Sequence, residues 1–408
     1  MSERAERAIE ECRLIATMSE EPGRTTRRFL TAPFHQVHHH LRTRMQSLGM
    51  DVLVDAVGNL RGLWTSSSGL SSKRLILGSH IDTVPDGGPF DGVLGVVLAL
   101  ELVESAKRLK LPIDIEVIAF SEEEGVRFSF PFIGSRAVAG RFDPSMFALK
   151  DANGTTIKQA IENFGIDLGR LEEAAADADA VGFVEIHIEQ GPVLEAEGLS
   201  VAAVTSIVGQ TRLDLRVTGH ANHAGTTPMR LRRDAVAASA EWISKVEMLA
   251  VETDGLVATV GKMEVHPNAG NVVAGSVDLS LDVRHVHDGT RRTAVDDLLK
   301  HADAIATRRG LKLEWNKKMD EPSVPMDERL TAFMTDAIEA AGFPAKSMPS
   351  GAGHDAMIMA RRMPTAMLFL RTPGGVSHHP GESVREEDVE AAVRVGEKFL
   401  QRLSAAVG

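Results

Sequence analysis

Residues 113–125 read Ile-Asp-Ile-Glu-Val-Ile-Ala-Phe-Ser-Glu-Glu-Glu-Gly, and the two halves of this stretch obey different physics. Ile113–Phe120 is a short apolar run of the kind that forms a strand covered on both faces. Glu122, Glu123 and Glu124 follow at once, three adjacent carboxylates that repel one another. An acidic run is usually a solvated surface. One fixed at the end of a buried strand calls instead for positive charge beside it. Neighbouring residues also point in different directions, so one glutamate can ligate a cation while the next reaches the water that the cation holds.

The same strand character recurs upstream. Arg74–Gly78 is a second buried run, and a helix rich in Val, Leu and Ala is expected over Gly92–Leu109. Further out, a helix over residues 34–48 aligns Phe34, Val37, Leu41, Met45 and Leu48 on one face. Strands are expected at Asp51–Asp55 and Leu60–Trp64, then a surface turn over Thr65–Ser72. This alternation predicts an α/β fold with a mostly parallel sheet covered by helices.

Downstream the period changes. Thr211–Thr218 alternates polar and apolar residues, as a strand with one wet face does. A helix over Arg233–Glu247, strands at Leu256–Val265 and Val277–Val283, a helix over Gly289–Arg308 and a strand at Lys312–Asn316 complete a β-α-β-β-α-β order. That is the ferredoxin-like arrangement. Helix–strand alternation resumes at Asp327–Ala341, Thr365–Leu370 and Glu386–Leu403. We therefore expect an inserted α+β domain over residues 209–324 within a larger domain formed by 1–208 and 325–408.

Composition narrows the function. With 408 residues, the chain exceeds one ordinary core. A net charge of −12 with no dominant basic patch argues against nucleic acid. No apolar stretch approaches membrane-spanning length, and the mixed-charge start Met-Ser-Glu-Arg-Ala-Glu-Arg does not read as a signal peptide. A single cysteine, Cys12, fits a reducing compartment, most simply the cytoplasm.

Five segments each place a ligand-type residue at a strand end, where sites form in open α/β sheets. They are His80 with Asp82, Asp91 in Gly87–Gly92, the Glu122–Glu124 run, His187 with Glu189, and His378-His379 downstream of Gly351–Asp355. Taken singly, each has a bland explanation: a surface turn, a helix cap, a solvated acidic face, a structural histidine. Together they make a mixed N/O ligand set suited to Zn, Co, Ni or Mn, with no thiolate near any motif. In this reading the Asp82 carboxylate holds the second ring nitrogen of His80, and Asp91 can bridge two cations.

At these residues the chain resembles the M20 metallopeptidase family, and within it the hydantoinase/carbamoylase branch. The resemblance runs from Gly49–Gly62 through Gly78–Gly95, Ser121–Phe128, His-Ile-Glu-Gln-Gly-Pro at 187–192 and His-Ala-Gly-Thr-Thr-Pro-Met at 223–229 to Gly351–Ala356 and Ser377–Pro380. It implies an amidohydrolase with two divalent ions per subunit (Zn, Mn, Co or Ni). His80, Asp91, Glu124, His187 and His378 would be the ligands, Asp91 would bridge, and Glu123 would be the general base. It implies that His223 comes from a partner subunit to stabilise the oxyanion, that Gln190, Asn271, Arg284 and the Gly353 backbone contact substrate, and that the inserted domain acts as lid and homodimer contact. The implied substrate is a small carboxylate-bearing compound, an N-carbamoyl-L-amino acid or an allantoate-like one. The same family also contains dipeptidases and N-acyl-amino-acid deacylases. A non-catalytic relative would be expected to have lost Glu123 or a ligand. Departures from the branch pattern are Arg371 and Pro373, His220, Ala274 and the His38–His40 run, which we read as a helix face.

Overall fold

The computed structural model describes residues 3–66, 73–177 and 180–407, so most of the expected turn at Thr65–Ser72 lies outside the described residues. The chain divides into two compact units, one of Met1–Thr205 with Pro325–Gly408 and one of Ser206–Val324.

The strands in chain order are β1 (Asp51–Val54), β2 (Leu60–Trp64), β3 (Arg74–His80), β4 (Asp114–Phe120), β5 (Gly182–Ile188), β6 (Val201–Ile207), β7 (Gly209–Thr218), β8 (Asn222–His223), β9 (Val257–Thr259), β10 (Met263–His266), β11 (Val272–Val273), β12 (Ser276–His285), β13 (Lys312–Glu321), β14 (Val324–Pro325), β15 (Ser347–Ser350) and β16 (Thr365–Leu370). The larger unit holds a sheet in the order β1-β2-β4-β3-β5-β16-β6, with β15 also on β6. The pairs β4/β3, β3/β5 and β5/β16 are parallel, whereas β1/β2, β2/β4 and β16/β6 are antiparallel. The mostly parallel sheet expected from sequence is thus parallel only through its four central strands. Residues 55–59 are too few for a crossover, so β1 and β2 must form a hairpin. Asp55 holds that turn by accepting from the Val57 and Asn59 amides and, at 2.7 Å, from the Asn59 side chain.

The helix Val93–Leu109 is buried on almost every side and packs on β3 and β5, as its near-continuous apolar sequence requires. Composition gave little sign of a helix over Glu3–Ala16, which is dense in charge. Its buried residues Ala5, Ala8, Ile9, Cys12 and Ile15 nevertheless recur at helical spacing. It packs on Val93–Leu109 and on the last helix, Glu386–Val407.

The smaller unit has its own core. Leu213, Leu215 and Val217 of β7 and Val277, Leu279, Leu281 and Val283 of β12 pack against Trp242 and Val246 of the helix Ala235–Glu252 and Leu298 and Ile305 of the helix Asp288–Arg309. The other face carries Arg212, Asp214, Arg216, Asp278 and Asp282 in alternation, the wet face that the sequence period required. The single strand expected over 256–265 is two. β9 pairs with Asp282–Arg284 of β12 and β10 with Ser276–Leu279, so residues 260–262 drop out of register. No helix among the described residues is long and apolar enough to cross a membrane.

Candidate active site

Four adjacent parallel strands, β4, β3, β5 and β16, end on one side of the sheet, and the five segments converge there. His80 is the last residue of β3, and His187 lies within β5, opposite Phe369 of β16. Glu123 and Glu124 follow β4, and His378 sits on the loop after β16. Asp91 precedes the helix Val93–Leu109, but Gly92 is the capping residue and no side chain caps that helix. The Asp91 carboxylate is therefore free for other work. Gly92 has φ +66°, and a Cβ there would lie 2.5 Å from the His80 ring.

Asp91 stands at the centre. Its Oδ1 lies 3.6 Å from His80 Nε2 and 3.2 Å from His187 Nε2. Its Oδ2 lies 3.2 Å from His378 Nε2, which in turn lies 3.5 Å from Glu124 Oε1. Two three-residue groups with ligand spacing result, His80–Asp91–His187 and Asp91–Glu124–His378, and they share Asp91.

The hydrogen bonds behind these groups decide what they can hold. His80 Nδ1 faces the Asp82 carbonyl at 3.0 Å, and His187 Nδ1 faces the Ile188 carbonyl at 2.9 Å. A carbonyl only accepts, so both Nδ1 atoms carry the proton, and in the neutral rings both Nε2 atoms present a lone pair. These lone pairs aim at the anionic Asp91 Oδ1. Asp91 Oδ1 and His187 Nε2 are buried and have no hydrogen-bond partner. Electron-rich atoms turned toward one another at the end of a sheet fit a divalent cation between them, and the N/O donor set suits a transition metal.

Charge in the cluster is concentrated by burial. Burial pushes Glu123 well above the ordinary carboxyl range, with Glu124, Asp355 and Asp82 adding to the effect and His80 opposing it. Burial raises Glu124 to about 7, and Asp91 contributes. Its hydrogen bond to Asp91 raises His378 to about 9. His379, its neighbour, turns away and accepts from the Gly381 amide at 3.0 Å.

Asp82 departs from the sequence expectation. The second ring nitrogen of His80 goes to the Asp82 backbone carbonyl, with the carboxylate farther off at 3.4 Å. The carboxylate instead accepts from the amides of Glu123 at 3.0 Å and Glu124 at 3.1 Å. The turn after β4 presents two parallel N–H groups, a better match to a carboxylate than one ring nitrogen. Asp82 thus holds the Glu123–Glu124 turn while its backbone orients His80.

Several buried partners had no sequence signal. Glu382 accepts from the Phe90 and Asp91 amides. Glu185 accepts from Ser79 Oγ at 2.8 Å and the Ala356 amide at 2.9 Å. His354 lies against His187, ring centroids 4.4 Å apart, and bonds Ser350. Arg27 is fully buried and donates to the carbonyls of Ile81, Ile15 and Met18, tying the loop after His80 to the N-terminal segment. Only the Gly351–Asp355 string offered a hint, and it pointed to Gly353 rather than to His354.

The atypical Arg371 has a structural explanation. It is 8 % exposed and grips the fully buried Asp388 with two parallel bonds of 2.8 and 2.7 Å, fastening the end of β16 to the last helix. Removing one member of a buried ion pair costs about 3–5 kcal/mol. We therefore expect Arg371→Ala to lower the denaturant midpoint by that equivalent without altering KM at low temperature. In the His38–His40 run, His38 is a core residue edge-on to Phe34 and Phe164, held down to about 4 by burial. His40 pairs with Glu11 at 2.9 Å, so the run is a helix face.

Gln190, at φ +58°, donates to Asp91 Oδ2 at 3.0 Å and to Ser377 Oγ at 3.2 Å, which places it on the central carboxylate. Gly353 is exposed in the turn beside His354. His223, Asn271 and Arg284 belong to the smaller unit. There, β8 and β11 pair His223 with Val272, and Ala224 donates to the Asn271 carbonyl, so His223 and Asn271 are neighbours. His223 Nδ1 accepts from the Gly225 and Thr226 amides at 3.1 and 3.2 Å. Its neutral ring therefore carries the proton on Nε2, ready to donate. Arg284 is held two-point by Asp282, at 2.9 Å through Nε and 3.0 Å through Nη2.

Comparison with known proteins agrees with this geometry. Residues 76–402 match the peptidase family M20/M25/M40. The chain is 37% identical to an N-carbamoyl-L-amino acid amidohydrolase of Geobacillus stearothermophilus over 91% of its length and 92% of the relative's. It is 35% identical to an allantoate amidohydrolase of Escherichia coli (strain K12) over 96% of each chain. A crystal structure of a hydantoinase/carbamoylase family amidase from Burkholderia multivorans superposes with a TM-score of 0.91 at 31% identity, covering 98% of this chain and 97% of that one. The chain belongs to peptidase family M20/M25/M40, in its hydantoinase/carbamoylase branch.

Proposed function

We propose that this protein is a metal-dependent amidohydrolase. It cleaves a linear C–N bond in a small carboxylate-bearing substrate, an N-carbamoyl-L-amino acid or an allantoate-like compound. The observation that carries this reading is the single carboxylate, Asp91, shared by two ligand groups with Glu123 alongside. His80, Asp91 and His187 would hold one divalent cation, and Asp91, Glu124 and His378 a second. Such a pair, when bound, supplies Lewis acidity toward a carbonyl oxygen and acidifies water. Glu123 takes the proton of the attacking water and returns it to the leaving nitrogen. Asp82 keeps the Glu123–Glu124 turn in place.

In the same reading the smaller unit supplies binding and charge stabilisation. His223 donates from Nε2 to the developing oxyanion, and Arg284 takes the substrate carboxylate, with Asn271, Gln190 and the Gly353 backbone as further contacts. Arg284→Lys keeps the charge but loses the two-point fork, so KM for carboxylate substrates should rise about tenfold or more with kcat little changed. The smaller unit also serves as a lid and homodimer contact. Val251, Val257, Met248 and Met263 are 42–82 % exposed along the helix Ala235–Glu252 and strands β9 and β10, an apolar edge that suits a second copy. A fully active monomer by light scattering would remove the partner role of His223. The buried lone thiol Cys12 suits a cytoplasmic setting.

The test is a substrate panel on protein stripped and reloaded with Mn, Co, Ni or Zn. Ammonia release from N-carbamoyl-L-amino acids and allantoate is expected to exceed amine release from N-acyl amino acids and dipeptides. The reverse order would make the protein a deacylase or dipeptidase of the same family.

A further inference from the structure

We propose that Glu382 is a positioning residue that joins the loop of Asp91 to the loop of His378 and sets the affinity of the cation site these two complete with Glu124. The proposal rests on the reading that the two ligand groups hold divalent cations.

Glu382 is only 4 % exposed, and both its oxygens are engaged. Oε1 accepts from the amides of Phe90 at 2.9 Å and Asp91 at 3.0 Å, across 291 residues of sequence in the second case. Oε2 accepts from Ser377 Oγ at 3.1 Å. Ser377 precedes His378; its Oγ also lies 3.3 Å from Asp91 Oδ2, an alternative acceptor for its single proton, and Gln190 Nε2 reaches both Asp91 and Ser377. One carboxyl group thus grips the backbone on which the shared ligand sits and the residue next to the last ligand.

Gly88 is the counterpart of this grip. It is not among the positive-φ residues, so the glycine is not there for backbone freedom. A Cβ at Gly88 would lie 2.3 Å from the Glu382 carboxyl carbon and Oε1. Gly88 provides the space that Glu382 occupies.

The consequence is selective. His80 and His187 are held by strands β3 and β5 and by the carbonyls of Asp82 and Ile188, none of which Glu382 touches. Asp91 and His378 come from the two loops that Glu382 joins. Loss of Glu382 should therefore weaken the Asp91–Glu124–His378 site more than the His80–Asp91–His187 site. Partners behind metal ligands typically contribute about 10–100-fold in affinity.

The full-length protein, stripped by chelator, is titrated with Zn²⁺ against a chromophoric competitor and with Co²⁺ by visible absorption. Wild type should take up two equivalents. Glu382→Ala should keep the first and bind the second about 10–100-fold more weakly, with a changed Co²⁺ spectrum. Glu382→Gln should recover most of the loss, because its amide oxygen can accept from the same two N–H groups and its amino group can donate to Ser377. Gly88→Ala should reproduce the loss in the wild-type background and add little in the Glu382→Ala background, where the space is already empty. Circular dichroism of the stripped variants reports the fold, and Glu382→Gln and Gly88→Ala carry the test if Glu382→Ala does not fold. Two sites unchanged in Glu382→Ala, or effects of Gly88→Ala and Glu382→Ala that multiply, would overturn the proposal alone. Wild type binding no divalent cation would overturn the metal reading itself.

Discussion

Glu123→Gln should lower kcat by about 10²–10⁴-fold, the span typical for losing a positioned general base, while both cations stay bound. The substitution changes one oxygen for an amino group and leaves shape almost intact. The backbone amide of Glu123, which Asp82 holds, is unaffected. Glu123 lies outside both three-residue groups that share Asp91, although its carboxylate also comes within ligand spacing of His80 and Glu124, and in the proposed division of roles those two groups hold the cations without it. Metal content by elemental analysis should therefore match wild type as turnover collapses. That dissociation separates a base from a ligand. A variant within tenfold of wild-type kcat would remove Glu123 from the chemistry, and one that lost metal in step with activity would make it a ligand.

Asp91→Ala should have the other dominant effect, through the opposite channel. Asp91 is the one residue common to both groups, with Oδ1 toward His80 and His187 and Oδ2 toward His378. In the proposed reading, its removal would take a ligand from each cation at once. The variant should bind well under one equivalent per chain, and kcat/KM should fall by about 10³-fold or more, since a cation contributes several kcal/mol to the transition state. The fold should survive. Glu382 accepts from the backbone amides of residues 90 and 91, which a side-chain substitution leaves alone. Elemental analysis and a thermal melt of the stripped protein check the two halves. Retention of two tightly bound cations would show that Asp91 does not bridge.

The two predictions rest on residues that were legible in sequence to different degrees. Asp91, Glu124, His187 and His378 were visible as ligand types at strand ends because a buried parallel strand is an apolar run, and a run that stops at a histidine or carboxylate stands out against it. The division between Glu123 and Glu124 was not visible in spacing. Three consecutive glutamates look alike until the backbone direction at each is known, and Asp82 sets that direction by accepting from two amides. Spacing could not separate His378 from His379 for the same reason. They differ by one residue, and only the loop conformation, with φ +55° at His378, sends one toward Asp91 and the other toward Gly381.

What the sequence by itself determined was the periodic part of the molecule. Alternation at Thr211–Thr218 marked a one-sided antiparallel sheet, and continuous apolar runs at Arg74–Gly78 and Ile113–Phe120 marked buried parallel strands. Period and polarity are local properties, and the chain states them directly. The tertiary structure alone decided everything that depends on partners distant along the chain. It made the sheet parallel only through β4, β3, β5 and β16; among the flanking antiparallel pairs, β1/β2 follows from a connection too short to cross over, whereas β2/β4 and β16/β6 join strands far apart in the chain. It turned Asp82 from His80's ring to the Glu123–Glu124 turn and gave Arg371 to Asp388. It also brought Glu382 to Gly88 and Asp91 across nearly 300 residues. A buried carboxylate is stable only where donors converge on it, and no local pattern announces where a fold will bring those donors together.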